Sequence, residues 1–256
     1  VLGGVITLLT RRVGVKVPPV TVGFWIVKVL TTAMGEATSD YSVHKVDPVV
    51  AVAFGFVAFA ITLAAQLTVR RYFVWVYWLA VVMVAVFGTM AADVIHVRFG
   101  VPYAVSTIGF AIILTAVFVS WYRVEGTLSI HSITTTRREL FYWAAVLSTF
   151  ALGTAAGDMT AYTFHLGFFS SALLFAAAIT VPAVAYRFAG LNAIAAFWFA
   201  YVLTRPLGAS LADWMGTPHN LGGLDWGRGR VSIGLTLLIV IGVALLARAR
   251  RSAVQR

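Results

Sequence analysis

The sequence predicts an all-α, polytopic integral membrane protein of about eight transmembrane helices, and three observations predict it. Of the 256 residues, 61% are apolar and 11% charged, a composition well outside that of soluble domains. Apolar stretches long enough to cross roughly 30 Å of hydrocarbon recur about every 25 to 30 residues. Four of those stretches carry the same residue types at the same spacing, the signature of an internal duplication.

In chain order the predicted spans are residues 19–40, 48–69, 72–96, 102–122, 139–162, 166–187, 190–213 and 230–249. They are taken as helices because backbone groups in lipid must be bonded within the segment itself. Ahead of them, residues 1–17 hold a short apolar run followed by Arg11, Arg12 and Lys16. Charges after the run, with no small-residue cleavage site, do not make a secretory signal. Val1 in place of Met leaves the start residue open.

The formal charge is +10, from 19 Lys and Arg against 9 Asp and Glu. Spread along the chain, these charges serve as topology anchors rather than as a nucleic-acid surface. The N-terminus, the 2–3, 4–5 and 6–7 connections and the C-terminus hold Arg11, Arg12, Lys16, Arg70, Arg71, Arg123, Arg137, Arg138, Arg187, Arg248, Arg250, Arg251 and Arg256. The other side holds Lys45, Arg98, Arg228 and Arg230. The positive-inside rule therefore predicts cytoplasmic termini. The absence of Cys excludes disulfides, Cys zinc sites, iron–sulfur clusters and thiol catalysis.

The repeated frame is a Trp, a Gly ten residues later and an Asp five beyond that: Trp25/Gly35/Asp40, Trp78/Gly88/Asp93, Trp143/Gly153/Asp158 and Trp198/Gly208/Asp213. With eight Trp and six Asp in the chain, chance does not produce this. It predicts one transmembrane domain, residues 1–256, of four parallel two-helix hairpins at approximately 16–70, 71–123, 137–188 and 189–250. Because each unit has an even number of spans, all four Asp fall toward one face of the membrane, unlike inverted repeats. At about 100° per residue the Asp, the position four before it and the Trp share an arc of about 60°, and the Gly sits about 140° away. The Gly is expected to admit a neighbouring helix, and the Trp to anchor or fill the core.

Repeat 1 is the most decorated copy, with Lys28, Thr32, Glu36 and Asp40 stacked at four-residue spacing. Arg205 occupies the Thr32 position in repeat 4, and Thr89 and Thr154 the Glu36 position in repeats 2 and 3. A lipid-buried charge costs at least about 2.5–3.5 kcal/mol, so these groups are expected to converge inside the bundle. Lys28 and Arg205 are expected to neutralise carboxylates such as Glu36 and Asp213, either as a packing network or as an ion pathway. His44, His96, His165 and His219 follow the four Asp loosely. They make a divalent metal, held by Asp40, Asp93, Asp158 and Asp213 with these histidines, a candidate ligand. Their place toward the helix ends argues against haem. No HExxH, Walker loop or Ser/His/Asp signature is present.

The segment KVPPVTVGFWIVKVLTTAMGEATSD, residues 16–40, resembles the opening repeat of a bacterial family of uncharacterised membrane-anchored proteins built from a tandem repeat of unknown function. Lys16, Pro18, Val20, Thr21, Phe24, Trp25, Lys28, Thr31, Thr32, Gly35, Glu36 and Asp40 carry the likeness. In the other copies the Thr-Thr-x-Gly-Glu core becomes FGTMAAD, LGTAAGD and RPLGASLAD. The resemblance implies a four-repeat polytopic membrane protein and supplies no substrate.

Function is expected to be cation transport, of a divalent metal among the candidates, through Lys28, Thr32, Glu36, Asp40, Asp93, Asp158, Arg205 and Asp213. The partners are then the lipid bilayer and a small ion or solute, not nucleic acid. The alternatives are a membrane-embedded enzyme acting on a lipid-like substrate, expected to open a lipid-accessible groove beside Glu36, and a scaffold or binding protein. Unpaired Lys28 and Arg205 would point instead to an anionic solute.

Overall fold

The computed structural model describes residues 14–254, so Arg11, Arg12 and Arg256 lie outside the described residues. Eight long helices run through these residues, with no β-strand among them. They are α1 (Val22–Lys45), α2 (Pro48–Thr68), α3 (Val74–Asp93), α4 (Tyr103–Glu125), α5 (Thr136–Asp158), α6 (Gly167–Phe188), α7 (Ala193–Gly216) and α8 (Arg228–Val254). Polar residues just outside the apolar runs start several of them. Thr21 Oγ1 accepts from Phe24 N–H, Asn192 Oδ1 from Ile194 N–H, and Asp47 Oδ1 from Val49 and Val50 with Pro48 opening the helix. The helix α6 is interrupted at Ile179, three residues before Pro182.

Seven helices, α2 to α8, are long and apolar enough to cross a membrane, and they make this a multi-pass membrane protein. The first helix falls outside that set because Lys28, Glu36 and Asp40 interrupt its apolar run. Burial separates two classes. The apolar windows of α3, α5 and α7 are 56%, 61% and 50% buried, against 17–22% for α2, α4, α6 and α8. Long helices with so little of their surface covered are lipid-facing.

The inner helices α1, α3, α5 and α7 form a closed ring, each packed on the next and α7 on α1. The repeated glycines make its seams. A Cβ on Gly35 would sit 2.6 Å from Ala85 Cβ, one on Gly88 2.8 Å from Phe150 Cβ, and one on Gly153 2.5 Å from Arg205 Cβ, while Gly208 abuts Thr32. Ala85, Phe150, Arg205 and Thr32 all stand eight residues before their Asp, so one contact recurs four times and closes on itself. Backbones approach this closely only over a residue without a side chain.

An aromatic seam repeats the pattern two helical turns below. Phe24 packs on Trp78, Tyr77 on Trp143, Tyr142 on Trp198 and Phe197 on Trp25, at centroid distances of 5.7, 5.7, 6.1 and 5.6 Å. The repeated Trp is thus the core filler of each seam. Three of the four are buried, and Trp25 is half-buried. The outer helices follow the same rotation: α2 packs chiefly on α3, α4 on α5, α6 on α7 and α8 on α1. Each outer helix leans mainly on the inner helix of the next repeat, not on the one it follows in sequence.

Candidate functional site

Inside the ring the four repeats stack equivalent positions in layers about 6 Å apart, the rise of four helical residues. The layer nearest one end holds Asp40, Asp93, Asp158 and Asp213, all half-buried. The next holds Glu36, Thr89, Thr154 and Ala209, then come Thr32, Ala85, Phe150 and Arg205, and below them Lys28, Val81, Val146 and Tyr201. An acidic end thus gives way to a cationic interior.

Arg205 is completely buried, and its Nη2 donates to Glu36 Oε2 at 2.6 Å, to Thr154 Oγ1 at 2.6 Å and to Thr89 Oγ1. These three acceptors are the equivalent residues of repeats 1, 3 and 2. One side chain of repeat 4 therefore ties the whole ring together at its centre. The adjacent Pro206 removes a backbone donor within α7, and the chain crosses this point against Gly153 and Gly157. Thr32, expected in the pathway, packs the α1–α7 seam and donates to Thr204 O at 3.1 Å.

The acidic layer is not fourfold. Glu36, Asp40 and Asp213 each offer an oxygen within 4.8 Å of the other two, and all three belong to repeats 1 and 4. Asp40 is also held by Arg228 Nε at 2.7 Å, and Asp93 accepts from Ser39 Oγ at 3.2 Å. Asp158 and Asp213 have no ion pair among the described residues. A local backbone difference accompanies the asymmetry: π-helical turns, Val94–Arg98 and Met159–Thr163, follow Asp93 and Asp158, whereas α1 and α7 continue as α-helix past Asp40 and Asp213. Such turns re-aim side chains within a helix.

Lys28 departs from the expected role of counter-charge. It is buried, yet its Nζ lies over the rings of Phe150 and Tyr201, 4.2 and 4.3 Å from their centroids, with no hydrogen-bond partner. The reason is geometric. Glu36 lies eight residues on, about 12 Å along the axis, and a helical side chain leans toward the N-terminus, here away from Glu36.

No histidine joins the three-carboxylate group. His44 Nδ1 bonds to Asp40 O at 2.6 Å, and His219 Nδ1 to Gly223 O at 2.9 Å. His165 is exposed at a left-handed turn with φ 56°. His96 is buried against Val101 O, Ser106 and the ring of Tyr103. Tyr103 stacks on Tyr162 at 5.7 Å.

The opposite end of the bundle contains a second buried charge network. Lys16 Nζ donates to Glu139 Oε2 at 2.5 Å and Leu67 O at 3.0 Å, and Gln66 Nε2 donates to Glu139 Oε1 at 2.9 Å. Lys16, Gln66 and Glu139 are each 1% exposed. Lys16 is therefore a structural clamp as well as one of the basic residues at that end. Glu125 nearby binds Arg137 and Arg138, both at 2.5 Å. Glu139 and Gln66 carry no motif or repeat spacing that would single them out.

Two lateral grooves face lipid on either side of α7. One, of about 600 Å³, runs past Trp25, Ile179 and Phe197, and the other, of about 640 Å³, past Leu114, Trp198 and Phe199. Neither is lined by Glu36, Lys28 or any repeat Asp.

No curated protein and no solved structure matches this chain. The sequence profile described as Repeat of Unknown Function (DUF347) matches four times, at residues 23–72, 76–127, 141–191 and 196–252. Each match holds one inner helix and most or all of the outer helix that follows it. These four copies account for the two closed seams and the layered centre, and the chain belongs to the DUF347 repeat family.

Proposed function

We propose that this chain is a permease for a cation, a hard divalent ion best of all, in the bacterial cytoplasmic membrane. All eight helices span in this proposal, as four units of one orientation with both termini cytoplasmic. The observation that carries it is the group formed by Glu36, Asp40 and Asp213, whose oxygens lie within 4.8 Å of one another beside Asp93 and Asp158. Oxygen-only sites suit magnesium, manganese or calcium better than zinc.

Glu36 belongs both to this group and to the Arg205 ion pair, and Asp40 both to the group and to the Arg228 pair. A divalent ion arriving at the three carboxylates takes over as their counter-charge and releases the two guanidiniums. Arg205 keeps Thr89 and Thr154 as acceptors, so the exchange leaves it bonded. Partner exchange at the one side chain that joins all four repeats couples binding to the packing of the ring. A lipid-directed enzyme is less well supported, because neither of the two lateral grooves beside α7 is lined by Glu36.

The test is calorimetry in detergent with manganese, magnesium, iron and zinc, followed by flux into liposomes. Saturable binding and flux, both lost in folded Asp40→Asn and Asp213→Asn, support the proposal. Unchanged flux in those variants, or no binding by the parent, overturns it and leaves the network a packing device.

A further inference from the structure

We infer that the interior of the ring holds a small monovalent inorganic anion of halide size, bound between Lys28 and Arg205. The inference shares Arg205 with the proposed cation exchange but uses none of the Asp layer, so bromide binding in buffer free of divalent cations tests it separately.

Donors without acceptors gather below the Glu36 layer. Lys28 Nζ, Arg205 Nε, Arg205 Nη1 and the Tyr201 hydroxyl are all buried and have no hydrogen-bond partner. Lys28 is 1% exposed and Arg205 and Tyr201 0%. Arg205 and Tyr201 are four residues apart on α7 and so share a face. Phe150 packs beside both cations, with Lys28 Nζ 4.2 Å and Arg205 Cζ 5.4 Å from its ring centroid.

Charge counting gives the same answer. Arg205 and a protonated Lys28 bring two positive charges, and Glu36 is the one acid that pairs with either among the described residues. That pair engages a single nitrogen, Arg205 Nη2, and leaves the rest of the guanidinium and all of the ammonium open. Aromatic faces attract a cation but accept no conventional hydrogen bond. A buried cation needs both a counter-charge and acceptors. A one-atom anion supplies them together.

Bromide is the probe, titrated against gluconate at constant ionic strength in detergent. The readouts are thermal stability and calorimetric binding, with bromide anomalous scattering from crystals to place the ion. Saturable stabilisation of the parent is expected, with Lys28→Met weakening bromide at least about tenfold and Tyr201→Phe less, in proportion to the donors removed. Lys28→Met keeps apolar volume under Phe150 and Tyr201, and Lys28→Arg, which retains the charge, should retain binding. Should Lys28→Met fail to fold, Tyr201→Phe and Lys28→Arg carry the comparison. Identical melting of the parent in bromide and gluconate, or bromide affinity unchanged in Lys28→Met or in Tyr201→Phe, overturns the inference.

Discussion

The guanidinium of Arg205 lies 2.6 Å from the carboxylate of Glu36, across 169 residues of sequence and from the last repeat to the first. The same nitrogen binds Thr89 and Thr154, so divergence at one layer has turned four copies into a single centre. Two neutral residues and one acid surround one base. A fourfold-identical layer would instead confront like charges.

The seam glycines predict sharp steric sensitivity. Gly88→Ala places a methyl 2.8 Å from Phe150 Cβ and should cost about 1–3 kcal/mol by overpacking. Gly109→Ala on the outer helix α4 meets nothing within 4 Å and should be neutral or slightly stabilising. Thermal unfolding of both in detergent checks the contrast, and equal melting temperatures would contradict a close-packed ring.

The clamp at the other end predicts a difference between buried and exposed pairs. Lys16→Met strands Glu139, which is 1% exposed, and should cost about 3–5 kcal/mol. Arg137 is 46% exposed in its pair with Glu125, so Arg137→Ala should cost no more than about 1 kcal/mol. Adding Glu139→Gln to Lys16→Met should recover part of the loss, a result that simple loss of packing at Lys16 does not give.

Cation binding should be indifferent to the exposed histidines. His44→Ala, His165→Ala and His219→Ala combined should leave manganese affinity within about twofold, because an oxygen site asks nothing of imidazole. Asp213→Asn should reduce it by about tenfold or more, since fewer charged ligands weaken such a site. A zinc affinity abolished by the histidine variant would move the metal to the loops.

Glu125 binds Arg137 and Arg138 at once, which fixes the connection between α4 and α5. Glu125→Gln should therefore speed proteolysis between Gly126 and Thr135 without changing cation binding. A cleavage rate equal to that of the parent would show that the two ion pairs do not hold this segment.

The helices were legible in the sequence because lipid imposes length and apolarity locally, and the Trp/Gly/Asp frame announced the duplication. The spacing also placed Thr89, Thr154 and Glu36 in one layer, which the structure joins through Arg205. What sequence could not give was the handover between repeats. Nothing local says that α2 leans on α3 or α8 on α1, since the lipid-facing sides of the outer helices are alike. Lys28 was legible as a buried cation but not as an unpaired one, for its setting depends on Phe150 and Tyr201 of two other repeats. Lys16 was legible as a basic residue, but its pairing with Glu139 was not, because the pair joins segments 123 residues apart with no repeat spacing to mark it.

A double-mutant cycle on Glu36 and Arg205 decides whether one ion pair secures the centre of the ring. Glu36→Gln, Arg205→Gln and the double variant are compared by unfolding in detergent, with cation-free buffer throughout. Each single change should be strongly destabilising and the double variant should recover a coupling of about 2 kcal/mol or more. Losses that simply add would contradict the pairing, and with it the partner exchange on which cation binding depends.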